Sequence, residues 1–175
     1  MAERTLQVRA LTDGELIAQS SVTADAFHEL FDRHFKAVHR YLARRVGGDR
    51  ADDLASQTFT VAFTRRTTFR TDAADARPWL LGIATKLLMN ERRAEQRSLA
   101  VVHRVQAERV WTVAGPADDG LDHEVAVALA ELDPDQRDVL LLFAWGELSY
   151  REIALALFSV TFVPPTAVTK VEEAG

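Results

Sequence analysis

Hydrophobic residues recur at helical spacing through the first half of the chain and predict three helices before residue 67. A capping box, Thr12-Asp13-Gly14-Glu15, predicts a short helix that follows through Ala18 or Gln19. A longer helix is expected from about Asp25 to Val46, ended by Gly47-Gly48, because its apolar residues fall on one side. A third is expected from about Arg50 to Arg66, followed by a loop from Thr67 to Asp75 that is rich in Thr and Asp.

The segment from Arg77 to Arg97 predicts a helix with two different faces. An apolar stripe consists of Leu80, Ile83, Ala84 and Leu87, whereas a polar series at steps of four, three and four consists of Lys86, Asn90, Arg93 and Arg97. At one hundred degrees per residue, these four polar side chains lie within about 60° of one another, and we call them the basic face. Trp79 falls in roughly the same sector. Cations neutralise phosphates, amides contact base edges and aromatic rings stack on bases, so this surface suits nucleic acid. The alternative is a solvated helix face with Trp79 in the core.

The second half of the chain predicts three more helices after a linker. Residues 99 to 120 lack a clear pattern and end in a turn-forming, acidic stretch, and a helix resumes from Leu121 to Glu131. Asp133 is an N-cap with Pro134 at the first helical position, and the helix it opens stops near Gly146. Another capping box, Ser149-Tyr150-Arg151-Glu152, opens a last helix. With no strand pattern before residue 158, the predicted fold is all-α, in two small helical domains joined by a linker.

Charge is divided unevenly between these two halves. The chain of 175 residues has a net charge of −5, but residues 25 to 98 hold 14 Lys and Arg against 10 Asp and Glu, a balance of +4. Residues 99 to 175 hold 5 against 13, a balance of −8, so we expect different partners for the two halves. The chain has no cysteine, which excludes disulfides and thiol catalysis, and no apolar run of bilayer length. These features favour a cytoplasmic protein without membrane insertion.

The order of these motifs resembles the bacterial RNA polymerase sigma factors of the extracytoplasmic-function type, within the sigma-70 family. The segments FHELFDRHFKAVHRYLARRVG, ADDLASQTFTVAFTRRTTFR and RPWLLGIATKLLMNERRAEQR look like the second region of that family. LAELDPDQRDVLLLFAWGELSYREIALAL looks like the first two thirds of its fourth region. The resemblance implies a region 2 domain over residues 1–98, a linker over 99–120, a partial region 4 helix-turn-helix domain over 121–157 and a divergent tail over 158–175.

The resemblance also implies residue roles in the first domain. The helix from Arg50 to Arg66 matches the one that docks on the largest polymerase subunit, which makes Asp52, Asp53 and Gln57 candidate docking residues, although acids in a first turn also favour the helix dipole. The loop from Thr67 to Asp75 matches the segment that holds a flipped base of the minus-ten element, and it is flanked by Arg65, Arg66 and Arg70. The helix carrying the basic face would read the same element, with Lys86 and Asn90 at bases or adjacent backbone and Arg93 and Arg97 at upstream phosphates. Trp79 is a further candidate, with packing as its alternative role.

The fourth region departs from its family after Leu157. Ser149, Tyr150, Arg151 and Glu152 open the matching helix, but the following FSVTFVPPTAVTKVEEAG contains Pro164-Pro165 and Lys170 as its only cation. Relatives carry Arg and Lys here, and no recognition helix can be assembled from these residues. A frameshifted reading frame, a factor that recognises only the minus-ten element and a tail repurposed for protein contact all remain open. We expect upstream promoter contact to be weak or absent.

The function implied by the resemblance is transcription initiation, with core RNA polymerase and promoter DNA as partners and an anti-sigma factor as an open possibility. The alternative is a decoy that binds polymerase but does not initiate. We expect no enzyme activity and no cofactor. His28, His34 and His39 share one helix, but no matching motif lies on a second helix, so no metal site is predicted.

Overall fold

The structure is a computed structural model that describes residues 11–70, 73–102 and 123–158. Within these ranges all of the regular secondary structure is helical. The helices are α1 (Asp13–Gln19), α2 (Asp25–Val46), α3 (Gly48–Thr64), α4 (Arg77–Val102), α5 (His123–Glu131), α6 (Pro134–Ala144) and α7 (Tyr150–Phe158). A single 3₁₀ turn, Arg66–Thr68, follows α3. The predicted all-α fold is confirmed.

Three helices begin with the side-chain caps that the sequence predicts. The Glu15 N–H donates to Thr12 Oγ1 at 3.2 Å, and the Thr12 N–H donates to Glu15 Oε2 at 2.7 Å, which completes the first capping box. Asp133 Oδ1 accepts the Asp135 N–H at 2.9 Å at the start of α6. Ser149 and Glu152 form the same reciprocal pair before α7, so each start is fixed by residues close together in sequence.

Helix ends agree with the prediction at α2 but not at α4. Gly47 has a φ of 84°, a conformation that favours glycine, and separates α2 from α3 by one residue. The α4 helix extends through residues 99–102, which the sequence analysis assigned to the linker. No glycine or proline interrupts the chain between residues 98 and 102, so nothing stops the helix at Arg97. The rest of the predicted linker and the tail after residue 158 lie outside the described residues.

The α4 helix lies at the centre of the hydrophobic core. Its predicted apolar stripe is confirmed, because the exposed fractions of Leu80, Ile83, Ala84 and Leu87 do not exceed 8%. Helices α2 and α3 pack against each other and against α4, and α1 packs on α2 and on the 3₁₀ turn. Burial of this stripe fixes which way α4 faces, and between residues 79 and 88 only Lys86 is not buried.

The first helical group, α1 to α4, is in contact with the second helical group, α5 to α7. A Cβ atom added at Gly82 of α4 would lie 2.3 Å from the carbonyl oxygen of Ala156 in α7, so the two helices touch through their backbones. The buried Arg45 guanidinium pairs with Asp138 of α6 and donates to the Tyr41 hydroxyl at 2.6 Å. The Tyr41 hydroxyl is in turn 2.8 Å from Thr85 Oγ1, so one polar network connects α4, α2 and α6.

Candidate nucleic-acid interface

The basic face lies along the side of α4 that is not buried, and it becomes more exposed toward the end of the helix. Lys86 and Asn90 are half-buried, whereas Arg93 and Arg97 are exposed. The Arg97 Nε–H donates to the carbonyl oxygen of Arg93 at 3.2 Å, which holds its side chain along the helix. The four residues therefore form a graded surface, with a partly enclosed end near the loop and an open, cationic end.

The enclosed end of the basic face brings two cations together. Burial lowers the pKa of Lys86, and the charge of Arg65, which follows α3, lowers it further. Folding thus keeps a positive charge near another positive charge at some electrostatic cost. Cations held close together at a surface favour contact with phosphates.

Asn90 contributes an amide donor to the same surface. Its Nδ2 atom is inaccessible to solvent and has no hydrogen-bond partner among the described residues. Buried amides in folded proteins are nearly always hydrogen-bonded, so an unused donor beside Lys86 needs an explanation. Because this atom is enclosed, a base edge or a phosphate oxygen would reach it only after the surrounding side chains move.

Trp79 lies in the core rather than on the basic face. Only 8% of its surface is exposed, and its ring lies 5.1 Å from that of Phe69, measured between centroids. The ring therefore offers little area for base stacking in this conformation. Its position agrees with the packing alternative, and with Phe69 it supports the chain where the loop approaches α4.

The arginines that flank the loop occupy different environments. The guanidinium of Arg66 lies 4.2 Å from the centroid of the Phe63 ring, and its Nη1 donates to the Phe63 carbonyl at 2.6 Å. Arg65 is half-buried near Lys86, and Arg70 is exposed. The fold thus brings Arg65 near the basic face, whereas Arg66 is held against α3.

Asp13 and His34 form a buried polar cluster that the sequence analysis missed. Asp13 Oδ2 lies 2.6 Å from His34 Nε2, and Asp13 Oδ1 accepts a hydrogen bond from Arg33 Nη1 at 3.2 Å. Burial raises the pKa of Asp13, but hydrogen bonds from His34, from the Ala76 N–H and from Arg33 outweigh it, and the pKa lies below its usual value. Twenty-one residues separate Asp13 from His34, so only the tertiary fold reveals this pair.

The same cluster includes Asp75, and its three ligand atoms lie within 4.8 Å of one another. A cation bound there would compete with the Arg33 guanidinium and the Ala76 N–H for the oxygens of Asp13. The carboxylate is thus already neutralised by protein donors, which favours a structural role over a metal site.

The candidate docking residues lie together on one exposed side of α3. Asp52, Asp53 and Gln57 are all exposed, and Asp52 Oδ1 lies 2.9 Å from His39 Nε2 of α2. The helix buries Leu54, Phe59 and other apolar residues on the other side. The acidic side is therefore positioned to contact a partner.

The predicted helix-turn-helix residues begin α7, where several apolar side chains are exposed. Tyr150 is 73% exposed and its ring stacks on Phe143 of α6, with 5.2 Å between centroids, and Phe158 is 85% exposed. Hydrogen bonds from Ser149 lower the pKa of Glu152, and Arg151 is exposed. Despite these exposed side chains, none of the helices in the described ranges is long and apolar enough to span a membrane.

Two family models match this chain. Sigma-70 region 2 matches residues 30–98 and Sigma-70, region 4 matches residues 122–157. The first match contains α3, the loop and the basic face. The second contains α6 and nearly all of α7, and it ends where the sequence departs from the expected pattern.

Two curated proteins are similar over about three quarters of the chain. The ECF RNA polymerase sigma factor BldN of Streptomyces coelicolor is 32% identical over 136 residues, which cover 75% of this chain and 52% of BldN. The RNA polymerase sigma factor CarQ of Myxococcus xanthus is 30% identical over 131 residues, 74% of this chain and 75% of CarQ. The chain thus spans about half the length of the first relative and three quarters of the second.

A solved structure of CnrH in complex with the cytosolic domain of CnrY is also similar. The identity is 26% and the TM-score is 0.56, and the match covers 83% of this chain and 82% of the matched chain in that structure. The likeness includes most of both helical groups.

Proposed function

Because the chain belongs to the extracytoplasmic-function group of the sigma-70 family, we propose that it is a dissociable initiation subunit that directs RNA polymerase to promoters. Sigma factors are generally initiation factors without catalysis of their own, and we extend this to the present chain. Its partners are core polymerase and promoter DNA, it needs no cofactor, and its site of action is the cytoplasm, where bacterial transcription occurs.

The observation that carries this proposal is the basic face of α4, on which Lys86 is near enough to Arg65 for their charges to interact and Arg93 and Arg97 are exposed. Cations on this face favour a phosphate, and the amide side chain of Asn90 favours a base edge or a backbone oxygen. The exposed Arg93 and Arg97 extend the positive charge along α4 toward what would be the upstream duplex. The loop between residues 67 and 75 directly precedes α4, and we assign to it the entry of an unstacked base.

Docking on core polymerase is assigned to the acidic side of α3. Asp52 and Asp53 are exposed there, on the helix that precedes Arg65 and the loop. A rigid helix that holds polymerase at one side therefore places the loop and α4 at a fixed distance from the enzyme. This arrangement couples polymerase binding to DNA positioning.

Recognition by the second helical group is proposed to be reduced. Its α6 and α7 correspond to the start of a helix-turn-helix, but Pro164-Pro165 and the lack of cations before Lys170 argue against a recognition helix in the tail. The minus-ten element would then carry most of the promoter contact. A footprint that covers the minus-thirty-five element and depends on the tail would contradict this assignment.

A protein partner is also proposed. CnrH, which this chain resembles over most of its length, is bound to the cytosolic domain of CnrY in its solved structure. We extend to this chain a partner of that kind, an anti-sigma factor that would hold it away from polymerase.

Run-off transcription with purified core polymerase tests the proposed function. Core enzyme with the chain is offered a pool of randomised promoter fragments, and the transcripts are sequenced. We expect transcripts with a shared sequence centred on the minus-ten position, absent with core enzyme alone. Polymerase binding without transcripts would contradict initiation and support the decoy.

A matched pair of α3 variants tests the docking surface in the same assay. Asp52→Lys with Asp53→Lys is expected to weaken core binding by about tenfold, on the scale of lost interface charge pairs. Asp49→Lys, which reverses one charge at an exposed site in the first turn of α3, serves as the control per reversed charge. An equal loss of affinity per reversed charge in both variants would show that only the total charge of the helix matters.

A further inference from the structure

Helix α1 contacts both ends of the loop that precedes α4. At one end it packs on the 3₁₀ turn Arg66–Thr68. At the other end Asp13 Oδ2 accepts the Ala76 N–H at 2.8 Å, and the Asp13 N–H donates to the Ala74 carbonyl at 3.4 Å. One short helix therefore determines the distance between the two described ends of the loop.

Asp13 connects this bracing to α2 as well. Its side chain is 6% exposed and accepts hydrogen bonds from the Ala76 N–H and from the Arg33 guanidinium. His34 Nε2 lies 2.6 Å from Asp13 Oδ2. Three donors from two different parts of the chain thus replace the water that a buried carboxylate would lose. Arg33 Nη1 also donates a hydrogen bond to the Leu11 carbonyl at 2.8 Å, which ties the segment just before α1 to α2.

We propose that Asp13 is a positioning residue for minus-ten recognition: it holds the end of the loop at Ala74 to Ala76 in the conformation that receives an unpaired base. The inference rests on the proposed function, because it assigns a purpose to the loop that only a promoter-binding protein would have. Asp13 does not contact DNA in this proposal. It acts through Ala76, the residue directly before α4, and through the loop end that Ala76 terminates.

A braced loop is useful for a physical reason. Ordering a loop at the moment of binding costs conformational entropy, and a loop already held in its binding conformation avoids most of that cost. A carboxylate is needed because it has only acceptors and all of its neighbours here are donors. An asparagine would present one NH₂ group to these donors and leave at least one of them without a partner.

Three variants separate positioning from simple folding. Asp13→Asn keeps the size of the side chain and removes acceptors, and His34→Gln keeps a donor at similar reach and serves as the conservative variant. Asp25→Asn is the matched control, because Asp25 is also the first residue of a helix but is exposed and forms no cap. Each variant is assembled with core polymerase, and three quantities are measured: core affinity, affinity for a single-stranded minus-ten oligonucleotide and hydrogen exchange at the Ala76 amide.

The oligonucleotide is taken from the shared sequence found in the run-off transcripts, with 2-aminopurine at each position in turn. For Asp13→Asn we expect unchanged core affinity, faster exchange at Ala76 and about tenfold weaker single-strand binding, the scale of one lost base contact. The 2-aminopurine signal of the flipped position is expected to fall toward that of its neighbours. His34→Gln and Asp25→Asn are expected to stay within about twofold of the unchanged protein, a factor well below one base contact.

Each result decides a different point. Unchanged exchange at Ala76 in Asp13→Asn would overturn the bracing. Faster exchange with unchanged single-strand binding would overturn the positioning role and leave a purely structural one. Failure of the unchanged protein to bind any minus-ten strand, despite normal core affinity, would overturn the proposed function, and the inference with it.

Discussion

Both helical groups bury the apolar faces of amphipathic helices, but their exposed surfaces differ in charge and in aromatic content. The first group buries the apolar stripe of α4 and carries the basic face, on which Arg93 and Arg97 are exposed. The second group belongs to the acidic half of the chain and exposes aromatic side chains such as Tyr150 and Phe158. Similar amphipathic helices thus present different surfaces, because the residues outside the core differ.

This difference explains why the overall charge of the chain is misleading. A net charge of −5 argues against DNA binding, yet the residues from 25 to 98 are cationic and concentrate charge at Lys86 and Arg65. Function depends on where charge is held, since the field near a surface is set by the closest groups. The contact between the two helical groups therefore needs its own test, because it joins a cationic part of the chain to an acidic part.

The largest expected effect comes from breaking the buried ion pair between the groups. Asp138→Ala leaves the buried Arg45 guanidinium without its carboxylate, with Arg92 nearby as a second cation. We expect a loss of about 3–5 kcal/mol in the free energy of unfolding, the usual cost of removing one partner of a buried pair. Denaturant unfolding measures it.

Two controls show whether that loss comes from the pair itself. Asp135→Ala changes an exposed acid in the same helix and should cost under about 0.5 kcal/mol. Arg45→Met combined with Asp138→Leu removes both charges and should recover most of the stability, because the buried pair is removed as a whole. A loss in the double variant as large as in Asp138→Ala would mean that shape, rather than charge, holds the groups together.

The next largest effect tests the contact between α4 and α7. Gly82→Ala places a Cβ 2.3 Å from the Ala156 carbonyl oxygen, so the helices must separate. We expect a loss of about 1–3 kcal/mol, as for other overpacked sites. Hydrogen exchange should show α7 losing protection while α2 and α3 keep theirs.

Gly48→Ala is the matched control for this substitution. A Cβ at Gly48 meets nothing within 4 Å, so alanine there should be neutral or slightly stabilising. If both alanine variants gain stability, the contact between α4 and α7 is looser than its geometry indicates.

These long-range contacts also mark the limit of what the sequence predicts. The capping boxes at Thr12 and Ser149 were predictable because each depends on residues three apart. The apolar stripe of α4 was predictable because burial imposes a helical period. Asp13 with Ala76 and Arg45 with Asp138 are 63 and 93 residues apart, and nothing in a local pattern indicates such partners.

The candidate site likewise has features that the sequence predicts and features that depend on tertiary packing. The four residues of the basic face follow from spacing alone, but their unequal exposure does not. The approach of Arg65 to Lys86 and the burial of Trp79 depend on how α3 and Phe69 pack. Specific roles for these residues in DNA binding stay predictions until they are measured.

A smaller effect tests whether the exposed end of the basic face binds phosphates. Arg93→Glu with Arg97→Glu should weaken binding to all promoter sequences by at least about tenfold and lower the salt slope by about 2, because each phosphate contact releases counterions. Lys36→Glu, an exposed cation on α2, is the control per charge. Affinity is measured from 50 to 200 mM salt, a range in which the slope is well defined. A slope that stays the same while affinity falls would assign these arginines to some role other than phosphate contact.

The smallest effect compares the capping boxes of the two groups. Thr12→Ala and Ser149→Ala should each cost about 1 kcal/mol, the usual value of an N-cap side chain.

The second box adds a pH dependence, because the hydrogen bonds from Ser149 hold the pKa of Glu152 below its unfolded value of 4.5. A lowered folded pKa gives stability that is present above about pH 4.5 and lost as the pH falls through the folded pKa. Unfolding measured between about pH 6 and pH 3 should therefore show Glu152→Gln losing part of this slope. A slope that Glu152→Gln leaves unchanged would place the acid sensitivity at Asp13, in the first group, instead.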